Sequence, residues 1–193
     1  MQGIYLKRCL GILWFVSVVS ALAAASGRYR CMWRADPATT MVIGWDQLSG
    51  ADPVLYYDTR DHGRQVAAYP RYQRPNRRSD ARGMNSHFVR LTGLQPNTVY
   101  YFVIRDSEGV SRRLSFQTAP DDPAVRLSII AGGDSRNFRE GRRNANRMVS
   151  KLRPHFVLFG GDFTGGDTAG EWREWFDDWQ ESIGSDGRLF PIV

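Results

Sequence analysis

The sequence is poor in the residues that build covalent or histidine-based sites. It holds two cysteines and three histidines in 193 residues. Cys9 lies in the N-terminal segment that is expected to be removed, which leaves Cys31 alone and excludes an internal disulfide. Cys31 falls in a predicted strand, Tyr29 to Arg34, and reads as a buried, inert thiol. His62, His87 and His155 stand apart from one another, without partners at ligand spacing, and read as strand or surface residues. Long apolar runs are also scarce. Leu10 to Val19 is the one such run, too short for the ~20 residues of a membrane span.

That run has a purpose of its own. Lys7 and Arg8 precede it, and Ala21-Leu22-Ala23 or Ala23-Ala24-Ala25 follows as a small-residue cleavage site. Residues 1–25 therefore read as a signal peptide, with an uncleaved membrane anchor as the alternative; cleavage makes the product exported (periplasmic or extracellular) and the mature chain free of the membrane. No lipobox-like run precedes either cysteine. Cleavage removes Lys7 and Arg8 and no acid, taking the net charge from +6 to +4, nearly all of it arginine. A basic exported chain suits anionic ligands, but no aromatic spacing accompanies the arginines and nucleic acid is not indicated.

From Tyr29 to Thr118 the pattern is all-β. Met41, Ile43 and Trp45 alternate with their neighbours as a half-buried strand with a core tryptophan. Val54 to Tyr57, Gln65 to Tyr69, Phe88 to Leu91, Val99 to Ile104 and Arg113 to Thr118 supply the rest of a sandwich. Arg71 to Arg82 holds five arginines without periodicity and reads as a solvated loop, or as an anion-binding loop over a substrate. Leu91-Thr92-Gly93-Leu94-Gln95-Pro96-Asn97-Thr98-Val99-Tyr100 resembles the Leu-x-Pro-x-Thr-x-Tyr run of fibronectin type III domains, where the tyrosine hydroxyl bonds back to the chain at a corner between sheets.

Ala119-Pro120-Asp121-Asp122-Pro123 is a linker, and the pattern changes after it. Arg126 to Asp134 and His155 to Asp162 are each an apolar run, two glycines and an aspartate. The runs are continuous, as in strands buried on both faces of a parallel sheet. Ala145, Met148, Val149 and Leu152 recur at helical spacing between them, giving strand–helix–strand. Ligands of such sheets bind beyond the carboxyl ends of the strands, where both aspartates sit. Trp172, Trp175, Phe176, Trp179 and Ile183 form the core stripe of a second helix, and Leu189 to Val193 begins a third strand. Residues 124–193 are too few to bury this apolar surface alone and are expected to be loosely packed by themselves.

Gly133-Asp134-Ser135-Arg136 and Gly161-Asp162-Phe163-Thr164, behind such a sandwich, resemble the first two motifs of the calcineurin-like metallophosphoesterases, in their purple acid phosphatase-like branch. The fold class implied is an all-β fibronectin type III-like sandwich (27–119) followed by the start of an α/β metallophosphoesterase domain (124–193). The resemblance implies hydrolysis of phosphate esters by a metal-bound water, with two metal ions (Fe, Mn or Zn) about 3.5–4 Å apart. Asp134 would bind one ion and Asp162 bridge the two. Arg136 would offer a cation to the substrate phosphate, or pair with Asp134 or the linker acids. The bare alternative for each aspartate is a helix cap. The family's iron-ligating tyrosine, three residues after the second aspartate, is Gly165 here. Its Gly-Asn-His motif would begin near Val193, so the resemblance implies an N-terminal fragment that is inactive alone. The alternative is an exported sandwich that acts as a binding module beside a non-catalytic remnant.

Overall fold

A computed structural model describes residues 25–193. The expected signal peptide, apart from its final Ala25, lies outside the described residues. Eight strands make the sandwich: β1 (Ser26–Met32), β2 (Met41–Gln47), β3 (Val54–Asp58), β4 (Arg71–Gln73), β5 (Arg77–Ala81), β6 (Met84–Leu91), β7 (Val99–Arg105) and β8 (Leu114–Gln117). One sheet has the order β1-β2-β6-β5 and the other β4-β3-β7-β8, all antiparallel. The alternating residues of β2 and β7 point inward, so that Met41, Ile43 and Trp45 face Tyr100, Phe102 and Ile104 in one core. The tryptophan nitrogen is satisfied inside, donating to Gln47 Oε1 at 2.9 Å.

Two expectations for this half need correction. Gln65 to Tyr69 is not a strand; it contains a 3₁₀ turn, Val66–Ala68. Arg71 to Arg82 is not a loop, since it supplies β4 to one sheet and β5 to the other. Both are edge strands, where long charged side chains keep to solvent and deter pairing with another chain. Edge position removes the need for alternation, which is why periodicity gave no sign of them.

The corner tyrosine stands as the sequence implied. Tyr100 is fully buried, stacks on Phe116 with ring centroids 5.5 Å apart, and its hydroxyl accepts the Gln95 backbone N–H at 2.8 Å. Cys31 is also fully buried, and burial pushes its thiol well above the ordinary range.

After the linker come β9 (Ile129–Gly132), α1 (Arg139–Leu152), β10 (Phe156–Phe159) and α2 (Ala169–Trp179). β9 and β10 pair in parallel, with Ile130 opposite Val157. They are not buried on both faces. Ile130, Val157 and Phe159 pack under the helices, while Ile129 and Leu158 are 48% and 47% exposed. The helix between them also turns a different face from the one expected: Met148 and Leu152 are exposed, and the buried residues are Arg142, Asn146 and Val149.

The support that residues 124–193 lack by themselves comes from the sandwich. Gln180 bonds both the N–H and the C=O of Tyr29, at 2.9 and 3.1 Å. Arg28 joins Asp46 to Asp177, each at 2.8 Å. The segment expected as a third strand makes isolated parallel bridges, Val157 to Ile192 on one side and Cys31 to Pro191 on the other. Leu189 joins the sandwich core and Phe190 the α/β core. No helix among the described residues is long and apolar enough to cross a membrane.

Tyr100→Phe leaves the Gln95 N–H without its partner and is expected to cost about 1–3 kcal/mol of sandwich stability. Chemical denaturation measures it; an unchanged midpoint would remove the corner bond from the account of the fold.

Candidate metal centre

The two Gly-Asp turns are held together by backbone. Beyond the strand ends, Gly160 N donates to Gly132 O at 2.7 Å, Asp134 N to Gly161 O at 2.9 Å and Arg136 N to Asp162 O at 3.0 Å. Parallel pairing thus continues through both turns. Gly133 permits it, since a Cβ there would lie 3.1 Å from the Gly160 nitrogen. Asp134, Asp162 and Arg136 all have left-handed backbone, with φ of 54°, 52° and 35°. Such conformations cost roughly 1–2 kcal/mol for most non-glycine residues and less for aspartate, whose short side chain tolerates them in turns.

The structure brings the three expected site residues to one point. Arg136 Nε donates to Asp134 Oδ1 at 2.6 Å and its terminal nitrogen to Asp162 Oδ2 at 2.7 Å. The carboxylates, 71% and 59% exposed, share one guanidinium, whose pKa their bonds raise further. Neither aspartate caps a helix. The cap of α1 is Phe138, and α2 is capped by Thr168 and Glu171 in a reciprocal box. The Glu171 carboxyl is held at about 2 by the Thr168 backbone N–H first, then by Asn137 and the Thr168 hydroxyl.

These donors fit part of a metal site. Two carboxylates that grip one cation are hard oxygen ligands in reach of a single ion. They do not fill a two-metal set, because no group of three or more His, Cys, Asp or Glu side chains is assembled among the described residues. Gly165 is filled from outside: its N–H donates to Asn137 Oδ1, and a Cβ there would lie 2.5 Å from the Asn137 amide nitrogen. His62 has an acidic partner that spacing did not suggest, Asp58 at 2.8 Å, far along the chain from the aspartates. His155 accepts the Ser128 N–H, and His87 stacks on Trp45.

Sequence reasoning missed the support beneath the site. Asp178 is 2% exposed and receives Arg142 at 2.6 Å and Arg139 at 2.8 Å. Arg142 also donates to the Arg136 carbonyl, and Asn146 to the Asp178 carbonyl. Burial works against the Asp178 carboxylate, yet the bonds from Arg139 and Arg142 leave its pKa below the ordinary value. The only signal was an acid inside the aromatic stripe of one helix and an arginine at helical spacing from Val149 on the other.

Comparison with known proteins bears on the sandwich most directly. Residues 28–118 match the family model described as the purple acid phosphatase N-terminal domain. This part of the chain is similar to that domain. Two solved structures share the fold over most of the chain, sandwich and α/β unit together. One is the purple acid phosphatase PPD1 from yellow lupin (Lupinus luteus), at 11% identity and a TM-score of 0.64, covering 88% of this chain and 34% of that one. The other is PhoD, at 14% identity and a TM-score of 0.59, covering 90% and 39%. The chain thus spans between a third and two fifths of either structure. No curated protein matches it.

Asp178→Asn strands the buried Arg142 and is expected to cost about 3 kcal/mol or more. The carboxylate's contribution is complete above its unfolded pKa, about 4, and fades as pH falls through the lower folded value. Acid titration of the α/β half, read by tryptophan fluorescence, is expected to be shallower in Asp178→Asn; an identical acid transition would place the pH dependence elsewhere.

Proposed function

We propose that this chain is the front part of an exported, metal-dependent phosphoesterase of the purple acid phosphatase-like kind. Residues 1–25 are the signal, 27–119 the N-terminal domain and 124–193 the start of the catalytic domain. Asp134 and Asp162 would hold the metal, Asp134 for one ion and Asp162 for both of a pair of iron, manganese or zinc, and the substrate would be a phosphate ester. One observation carries the reading: carboxylates from two successive strand ends converge on a single cationic group behind a purple acid phosphatase N-terminal domain.

The chemistry of this chain's own residues follows from their placement. When bound, the metals supply Lewis acidity and a water acidic enough to attack phosphorus near neutral pH. The guanidinium of Arg136 stands where a cation between the carboxylates would stand. With a metal held by Asp134 and Asp162, Arg136 would give up at least one of its two carboxylate partners. Its guanidinium, permanently charged and beside the site, would then suit a phosphate dianion. The backbone ladder and the Arg142 bond keep both turns in place during this exchange.

Manganese titration by calorimetry tests the ligands without turnover. The chain is expected to bind weakly, with Kd on the order of 1 mM, since two carboxylates are few ligands. Asp134→Asn and Asp162→Asn are each expected to abolish binding, and Arg136→Gln to tighten it by removing a competitor. Binding that survives both asparagine variants would overturn the assignment. In a longer protein that carries further ligands, Asp162→Asn is expected to release both ions and Asp134→Asn one.

A further inference from the structure

The outer face of a sandwich sheet ordinarily meets water and is polar. On the β1-β2-β6-β5 sheet it is not. Register places Arg30, Gly44, Phe88 and Arg77 in one row across the four strands, and Met32, Val42 and Arg90 in the next. Each row has an apolar middle, and arginines stand toward the edges. Gly44 keeps the middle low, because a Cβ there would come within 3.0 Å of the Phe88 ring. Helix α2 crosses above with Trp172 and Phe176, and the space between is a groove of about 660 Å³. That is ample for a small organic molecule.

The charged side chains that line the groove are all arginines. Arg30 lies in its floor, 4% exposed, between the rings of Phe88 and Phe176 at 5.1 and 4.5 Å. Its bonds go to the Arg28 carbonyl at 2.9 Å and the Ser86 hydroxyl at 2.8 Å, and among the described residues no carboxylate lies in ion-pair reach of it. Arg34, Arg77 and Arg90 are exposed at the rim, and none has an acidic partner among the described residues. No acidic side chain lines the space. A cation held in a low-dielectric floor, with three more at the rim and aromatic walls, complements a flat anion.

We propose that the groove between the outer face of this sheet and α2 binds a planar organic anion of charge −2 or more, its ring against Trp172 and Phe176 and its anionic groups on the rim arginines. The site is separate from the aspartates and requires no metal.

The probe is 2,6-naphthalenedisulfonate, which no phosphoesterase cleaves, titrated in chelator with the 193-residue chain. Tryptophan fluorescence and calorimetry are read in parallel. The disulfonate is expected to bind at least about tenfold more tightly than ethane-1,2-disulfonate, which lacks the ring, or 2-naphthol, which lacks the charge. Arg34→Glu/Arg77→Glu/Arg90→Glu is expected to abolish binding. Arg60→Glu/Arg105→Glu/Arg126→Glu makes the same change in net charge away from the groove and is expected to leave binding within about twofold. Trp172→Phe, which keeps a ring in place, is expected to retain binding with a diminished fluorescence response. Equal loss in the two charge-reversed variants would mean non-specific attraction and overturn the site, as would a disulfonate that binds no better than its ringless counterpart. Binding here together with absent manganese binding would leave the groove standing and remove the metal assignment.

Discussion

The α/β half depends on one buried ion pair, Arg142 with Asp178. It joins α1 to α2 where neither helix offers a continuous apolar face to the other. Such a pair repays its desolvation only when its remaining hydrogen bonds are met. Here they are met by Arg139, by Asn146 on the neighbouring carbonyl, and by the Arg136 carbonyl. The last bond couples the pair to the Gly-Asp turns, because Arg136 is the residue that gathers the two aspartates. A change in the packing between the helices therefore reaches the site without touching a carboxylate there.

The second constraint is that the α/β half leans on the sandwich. β9 and β10 have one helix-covered face and one open face, and two strands with two helices enclose little volume. The missing support comes from β1 and β8, through Gln180, Arg28 and the segment from Leu189 to Ile192. In return the sandwich gains an aromatic helix over a face that would otherwise be wet. The groove lies between the two places where the α2 region meets the sandwich, Arg28 and Tyr29 of β1 at one end and Arg82 of the β5–β6 turn, paired with Asp167, at the other.

The Gly-Asp turns show how a weak local motif gains meaning from pairing. One left-handed aspartate after glycine is an ordinary turn. Two of them, connected by three backbone hydrogen bonds past the ends of parallel strands, bring their carboxylates onto one guanidinium. The guanidinium offsets one of the two negative charges and bridges carboxylates that would otherwise repel, which holds the turns together.

By itself the sequence determined what short-range sterics and alternation encode: the sandwich strands with inward Trp45 and Phe102, the Tyr100 corner, the linker, and two strands ending in Gly-Gly-Asp. It also placed both helices, through their apolar spacing. Only the tertiary structure decided which face α1 buries, because that choice rests on Asp178, 36 residues from Arg142, and charge pairing at such a distance has no local period. For the same reason the arginine-rich stretch from Arg71 to Arg82 became two edge strands, as the free hydrogen-bonding edges of β3 and β6 outweighed its lack of pattern. Arg136 was legible as a cation near the site. That it holds both aspartates at once was settled by the parallel register of β9 and β10, which brings residues 26 and more positions apart to the same height.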